Sequence, residues 1–438
     1  MVIGCANYII PGCCTSKVNL RTGKNSRNHV AQAELGDNKE QAMKKVLAVA
    51  LLTTLVFSST AGAAFLSPTP GGRTSGTQIG GSPNTPLLPM DAWGWFSDSD
   101  QNVGSGNWRA EFGVELLVPR FTIEDKFGRK QVSKHLAHVL PFGSVVYRVN
   151  DRLALKVNLD NPFRLGAAFE KNREQWGFDT QSLVSLTTVT VLADIKVNDR
   201  LHFSIGPVWG FCQEKWRAPF DLNRQPLPIS ADSKASGFSN FNDPGIAVGV
   251  FVDVNDRVKL GFQYVSEIKA ELSGRTELLG IRDNFRSDLT FPQTFTVAAS
   301  WQVTDKLQLV GDVYYWNYSS TPNDQNLDYK KLPLVKPVAI EAQDAVGAHF
   351  GGNYTVSDRL MVRAAVGVMN QSIPTSRVDT LTPDVFGYAT ALGASYRLSQ
   401  YWSVNASWTY AWGNSKTYSG DKLSIAINTF GLSGSVKW

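Results

Sequence analysis

Residues 401–412 read YWSVNASWTYAW. Every second residue, from Trp402 through Val404, Ala406, Trp408 and Tyr410 to Trp412, is apolar or aromatic. Those between them, Ser403, Asn405, Ser407 and Thr409, are small and polar. A strand sends successive side chains to opposite faces, so the stretch predicts a strand with one greasy face and one wet face. Soluble sheets alternate too, so the period alone does not choose between water and lipid. The placement of the aromatics does. Ten strand steps cover about 33 Å, and a tilt of about 40° leaves roughly 25 Å of height. That is the apolar band of an outer-membrane barrel, with an aromatic at each rim. The reading is lipid outside and a polar lumen inside.

Outward from this strand, a turn motif repeats. Val149-Asn150-Asp151-Arg152 recurs at 197–200 and 254–257, with looser copies at 303–306, 356–359 and 398–401. Asn and Asp at the centre suit a tight hairpin. Successive copies are 48, 57, 49, 53 and 42 residues apart, room for two strands and a long loop. Short turns on the periplasmic side and long loops outside are the asymmetry of outer-membrane barrels. Six short turns with both ends periplasmic predict seven outer loops and an all-β, fourteen-stranded antiparallel transmembrane barrel. A propeller also repeats at this period, but with four strands per unit and a blade motif.

The flanking runs alternate as required. Leu155, Val157 and Leu159 oppose Lys156, Asn158 and Asp160; Val248, Val250 and Val252 oppose Asp253; Val362, Ala364 and Val366 oppose Arg363. A Lys or Arg on the lipid face near the midplane would cost about 2–4 kcal/mol, and in these runs the charges fall on the other face.

The front of the chain reads differently. Met43-Lys44-Lys45, an apolar run to Phe57 and small residues through Ala63 are the parts of a secretory signal peptide, with cleavage expected after Ala63. Residues 1–42 read as a translated leader or unstructured extension, with Met43 as the working start. Residues 64–108 are rich in Gly, Pro, Ser and Thr yet carry an apolar cluster at Leu87, Leu88, Met90, Trp93, Trp95 and Phe96. They predict an N-terminal plug in a barrel spanning 109–438, the alternative being a disordered tail. The formal charge of +5 falls to +1 once residues 1–63 are set aside, which gives no argument for binding nucleic acid. Three of four cysteines lie in the leader; Cys212 remains, so no intramolecular disulfide is expected. The last stretch, FGLSGSVKW, puts Phe430, Leu432, Val436 and Trp438 on one face and resembles the signal read by the barrel-assembly machinery.

Taken together the sequence resembles the FadL family, outer-membrane transporters of long-chain fatty acids and other hydrophobic compounds. The resemblance rests on the VNDR turns, on FQYVSEIKAELSG (262–274) followed by LTFPQTFTVAASWQV (289–303), and most of all on the block 371–413. It implies a monomeric barrel of a Gram-negative outer membrane with an N-terminal plug, binding in the lumen, and lateral release through a kink in the third strand. The chain departs from the family where an Asn-Pro-Ala motif usually precedes the first strand, reading Asn102-Val103-Gly104 instead.

Here the third strand carries Asn161-Pro162, and Pro162 has no N–H for the ladder. These two residues are the expected lateral gap; the alternative is that the strand ends there. A fatty acid needs an apolar groove and a partner for its carboxylate. The apolar candidates are Phe163, beside the gap, and Tyr314, Trp316 and Tyr318, which share a face with Asp312 and could instead belong to the rim girdle. The carboxylate candidates are Lys156, Lys269, Arg363 and Arg397, each of which could equally be a solvated or Asp-paired lumen charge. His135 and His138 form an H-x-x-H without a further ligand, short of the three or four that zinc takes, so no metal is expected. No catalytic constellation and no cofactor motif stands out. The leading expectation is passive uptake of a hydrophobic molecule by lumen binding, plug movement and lateral release. A general aqueous porin, or an outer-membrane enzyme or adhesin, is the alternative.

Overall fold

A computed structural model describes residues 108–437 apart from 135–136, 171–177, 223–224, 323, 331–337, 340–341, 379–380 and 418. The expected leader, signal peptide and all but the last residue of the plug lie outside the described residues, as do His135 and Trp438.

Strand β1 (Trp108–Glu124) rises from the rim of short turns, a short β2 (Lys130–Val132) folds back on its tip, and β3 (His138–Arg148) descends. Long antiparallel strands β4 (Leu153–Phe169), β5 (Thr180–Asn198) and β6 (Leu201–Leu222) follow. The next three staves are each broken in two: β7 (Gln225–Phe238) with β8 (Gly245–Asn255), β9 (Val258–Val265) with β10 (Ile268–Leu278), and β11 (Ile281–Phe291) with β12 (Gln293–Gln302). Strand β13 (Leu307–Asn317) leads to an outer segment with β14 (Asp324–Tyr329) and β15 (Val338–Ala339). The wall is completed by β16 (Ala345–Ser357), β17 (Leu360–Met369), β18 (Phe386–Arg397), β19 (Trp402–Lys416) and β20 (Lys422–Lys437). β20 pairs with β1 from Lys437 opposite Arg109 to Lys422 opposite Glu124, which closes the cylinder. With each broken pair taken as one stave, the described wall has fourteen, all antiparallel to their neighbours.

The turn motif works through its first polar residue. Asn150 Oδ1 accepts the N–H groups of Arg152 and Leu153 at 2.8 and 2.9 Å. Asn255 Oδ1 does the same for Arg257 and Val258, both at 2.9 Å. Thr304, Ser357 and Ser399 take that place with a hydroxyl in the looser copies. Such side-chain turns satisfy backbone donors that a two-residue reversal would leave open. On the opposite rim the β10–β11 reversal, Leu279-Gly280, has both residues at positive φ, 51° and 79°, the backbone of a two-residue hairpin turn.

Faces follow the period of two. On β19, Trp402 and Val404 are outward and exposed while Asn405 and Thr409 are buried. Near the outer rim Tyr410, Trp412 and Tyr388 stack, and at the other rim Trp108 stacks on Tyr147 at 4.3 Å. These are the two aromatic girdles of a membrane barrel. One amide breaks the outward pattern: Asn428 accepts the Trp408 indole N–H at 3.1 Å, a partner that lipid could not supply.

The inward face is split by height. Toward the outer rim it is apolar, with Leu117, Phe121, Leu140, Leu186, Ile268, Leu289 and Ile425 in one buried cluster. Toward the short turns it is polar. Asp194 there holds His202 and Ser204, each at 2.7 Å. Gln308 accepts from Asn353 at 2.8 Å. Arg363 donates to Ser395 at 2.7 Å, and Ser433 donates to Glu111 at 2.6 Å. A buried polar group is costly unless bonded, and each of these groups has a partner.

Candidate functional site: an aromatic chamber beside a window in the wall

The site begins with one surplus residue. Along the β4–β5 ladder, Asp160 pairs with Thr188 but the next pair is Phe163 with Leu186. Three steps on β4 match two on β5, a β-bulge at Asn161-Pro162. A bulge of one residue exchanges the faces of everything beyond it. Below it the even residues Lys156, Asn158 and Asp160 are buried in the lumen; above it the inward set includes Phe163, 3% exposed. Without the bulge Phe163 would face lipid.

On its other side β4 loses its neighbour. The β3–β4 ladder runs from Arg148 opposite Ala154 only as far as Gly143 opposite Leu159. Strand β3 continues to His138 in register with β1, and β4 continues to Phe169 in register with β5. The stretches between, 138–142 and 160–169, face one another without a ladder. Two prolines explain this: Pro141 and Pro162 each lack the N–H that pairing would use. Across this edge a side chain substitutes for the ladder. Asn161 Nδ2 donates to the Pro141 carbonyl at 2.7 Å, and its Oδ1 accepts from Thr187 Oγ1 at 2.8 Å. Above, Lys134 N–H donates to the Ala168 carbonyl at 2.8 Å and closes the top. The result is a window bounded below and above, with Leu140, Phe142 and Phe163 buried at its inner edge.

Phe163 also belongs to an aromatic chamber. Its ring lies 5.0 Å from Trp316 and 5.3 Å from Phe291. Trp316 lies 5.8 Å from Tyr314 and meets Tyr318 edge-on at 6.2 Å. Tyr314 stacks on His349 at 5.0 Å, and Asp312 holds the His349 ring through Nδ1 at 2.7 Å. Gly347 makes room for this stack: a Cβ there would lie 2.1 Å from the Tyr314 ring. The four apolar candidates of the sequence reading therefore sit together, inside the wall rather than in the girdle.

The outer segment between β17 and β18 joins the same apolar cluster through Ile373, Val378 and Val385. It is anchored by Asp384. One carboxylate oxygen accepts the N–H groups of Ser372 and Ile373 at 2.6 and 2.8 Å and the Ser372 hydroxyl at 2.9 Å. The other accepts the Val385 N–H at 2.8 Å. Burial pushes this carboxyl up to about 6, against the pull of those four donors.

The cationic candidates divide. Lys156 is 1% exposed and Arg363 4%, both on the polar half of the lumen within electrostatic reach of Glu111. Arg397 stands at the short-turn rim, its N–H bonded to the Arg359 carbonyl at 2.8 Å. Lys269 is not in the lumen. The break at Ser266-Glu267 between β9 and β10 shifts the alternation, so Gln263 and Ile268 both point inward and Lys269 is exposed on the outer face. Pro141 and Phe291 were not picked out from the sequence, whereas His349 reads from it as a lumen residue. A second proline inside a strand was the readable signal for Pro141; nothing local marked Phe291.

Residues 104–436 match the family described as outer membrane protein transport protein (OMPP1/FadL/TodX). The chain belongs to that family. This places the FadL/TodX-family barrel in the outer membrane of a Gram-negative bacterium, among transport proteins rather than enzymes. It is 23% identical over 199 residues to NMB0088 of Neisseria meningitidis serogroup B, named as a putative outer membrane protein; the match spans 39% of this chain and 42% of that protein. Among solved structures, a Pseudomonas aeruginosa FadL homologue superposes with TM-score 0.67 at 19% identity, covering 86% of this chain and all of the other. The Pseudomonas putida toluene transporter TodX gives 0.60 at 15%, over 87% and 100%, and the Ralstonia pickettii toluene transporter TbuX 0.60 at 14%, over 87% and 99%. At these identities the likeness establishes the shared fold.

Proposed function

We propose that this barrel takes up hydrophobic molecules from outside and releases them sideways into the outer membrane through the β3–β4 window. The observation that carries the reading is the double position of Phe163: it edges the window and touches Trp316 and Phe291 of the chamber. A molecule leaving the chamber past Phe163 meets lipid without crossing the polar lower lumen. Several aromatic faces suit apolar cargo through burial and ring stacking. The similarity to TodX and TbuX, named as toluene transporters, supports the same class of cargo.

The finer reading is a long-chain fatty acid. Its tail would occupy the chamber formed by Phe163, Tyr314, Trp316 and Tyr318, with the carboxylate directed down toward Lys156 or Arg363. Lys156 precedes Phe163 by seven residues, about 23 Å of strand, the order of an extended long acyl chain. Residues 64–108 supply the moving plug, residues 43–63 direct export, and the chain is folded by the barrel-assembly machinery and works as a monomer.

The test is a removable bolt across the window. Pro141→Cys with Asn161→Cys places two thiols on facing strand edges. Uptake of a labelled fatty acid by cells should stop on oxidation and return on reduction. Undiminished uptake in the bolted protein would overturn lateral release. A large steady single-channel current would instead favour the porin.

A further inference from the structure

Above the outer girdle, neighbouring strands bring like charges together on the face turned away from the lumen. Lys215 on β6 is the cross-strand partner of Lys234 on β7, and Lys234 is the partner of Arg275 on β10. All three are exposed, while Glu214, Ala235 and Thr276 next to them are buried on the inner face. Like charges directly opposite in an antiparallel sheet destabilise it. The next outward-facing row shows the same strands pairing their charges. Arg217 donates twice to Asp232, at 2.7 and 2.9 Å, and Arg282 donates to Glu277 at 2.9 Å. Among the described residues, Lys215, Lys234 and Arg275 make no ion pair.

Lys234 and Arg275 of this row open on a cavity of about 740 Å³, and Lys215 lines a second one beside it together with the paired Asp232 and Glu277. Lys234, Arg275, Arg286 and Lys330 line the first against one carboxylate, Asp328, with the Ser273 hydroxyl between. Its height matters. Below it Phe211 and Phe238 form an outward aromatic pair, centroids 4.6 Å apart. Lys215 and Lys234 stand four residues beyond those rings, about 13 Å of strand and roughly 10 Å of height at barrel tilt. That is the level of lipid headgroups, and the patch faces the surrounding leaflet rather than the mouth of the barrel.

We infer that this patch seats the phosphate-bearing sugar headgroup of an outer-leaflet glycolipid. A phosphate offers several acceptor oxygens and more than one negative charge, which match the Arg forks and the Lys point charges. Seating it removes the repulsion that the bare row carries. The site stands apart from the aromatic chamber and does not depend on what the barrel transports.

The experiment is native mass spectrometry of the full chain in detergent, with a bisphosphorylated lipid A glycolipid and with its dephosphorylated form. The protein should retain the phosphorylated lipid in preference. K215Q/K234Q/R275Q should bind it at least about tenfold more weakly, since hydrogen bonds to charged groups are among the strong ones. R217Q/R282Q, which removes cations already paired, should stay within about twofold. Inorganic phosphate at matched concentration should leave lipid occupancy unchanged. Equal binding of the two lipid forms, or no loss in the triple variant, overturns the site. Full displacement by inorganic phosphate overturns the headgroup assignment in favour of a free anion. The heat-dependent shift in electrophoretic mobility reports folding of each variant. If the triple variant does not fold, R275Q alone carries the test with an expected loss of about threefold or more, and unchanged binding there is equally fatal.

Discussion

Asn161 is joined to Pro141 across an edge where the backbone makes no ladder, its Nδ2 donating to the proline carbonyl at 2.7 Å. The same amide accepts from Thr187 on the far side at 2.8 Å. One side chain thus stitches three strands at the point where β4 is irregular. Asn161→Ala leaves a carbonyl and a hydroxyl unpaired. The expected cost is about 1–3 kcal/mol, read as a lower urea midpoint for the barrel in lipid vesicles. Uptake should survive, because the window stays open; its loss would mean that Asn161 handles cargo and not the edge.

Deleting Pro162 is expected to do what substitution cannot. With the surplus residue gone, two steps on β4 match two on β5, so Phe163 stays opposite Leu186 and inward while the kink in the edge is flattened. Uptake should fall, with apolar-probe binding in the chamber retained, if the kinked edge is the way out. Pro162→Val keeps the count of residues and should retain most of the activity. Equal behaviour of the two variants would dissociate the bulge from transport.

Gly347→Ala would place a methyl group where the Tyr314 ring now lies. The ring must leave its stack on His349, with His349 still held by Asp312. Binding of a fluorescent apolar probe to the purified protein should weaken about three- to tenfold, the worth of one aromatic contact. Probe affinity equal to the unaltered protein would show that Tyr314 does not line the occupied part of the chamber.

The anchor at Asp384 makes the segment 370–385 sensitive to pH. Its folded carboxyl titrates at about 6, raised by burial from the ordinary aspartate value near 4. The anchored state therefore holds the proton more tightly than the opened one. Anchoring is strongest below about pH 4, weakens as pH climbs to about 6, and is level above that, a span on the order of 2–3 kcal/mol. Amide exchange at Ser372 and Ile373, corrected for intrinsic rates, should show protection falling over that window. Asp384→Asn should flatten the profile. Protection that instead rises with pH would mean that the four donors outweigh burial and hold the carboxyl below its ordinary range.

Leu279 holds φ of 51° at the β10–β11 turn and is 73% exposed. A left-handed conformation costs an ordinary residue about 1–2 kcal/mol, and Asn adopts it more readily. Leu279→Asn should stabilise the hairpin by roughly 1 kcal/mol, seen as slower proteolytic nicking of the outer turn. Faster nicking would show that Leu279 holds the turn through its side chain.

Much of the architecture was legible because its causes are local. Alternation named the outer face of β19 and β17, and the Asn, Thr or Ser of each turn motif does by hydrogen bonding what its spacing suggested. The site was harder to read, since it depends on where alternation fails. Lys269 shares the parity of lumen residues on β9, yet the break at Ser266-Glu267 turns it outward. Phe163 has the parity of the lipid face, yet the bulge turns it inward. Both irregularities are settled by register against the neighbouring strands and not by the local run of residues. Trp316 and Tyr318 lay on a face that could be named, but Phe291 comes to Phe163 only through barrel closure.

The bulge on β4 also bears on how such a barrel can change over generations. Point substitutions around it alter how greasy or how wide the opening is, by degrees. Loss of the one surplus residue flattens the kink at a stroke and leaves the side chains above it on the faces they already have. The step between a conduit and a sealed stave is therefore the loss of a single codon, and its return is the gain of one.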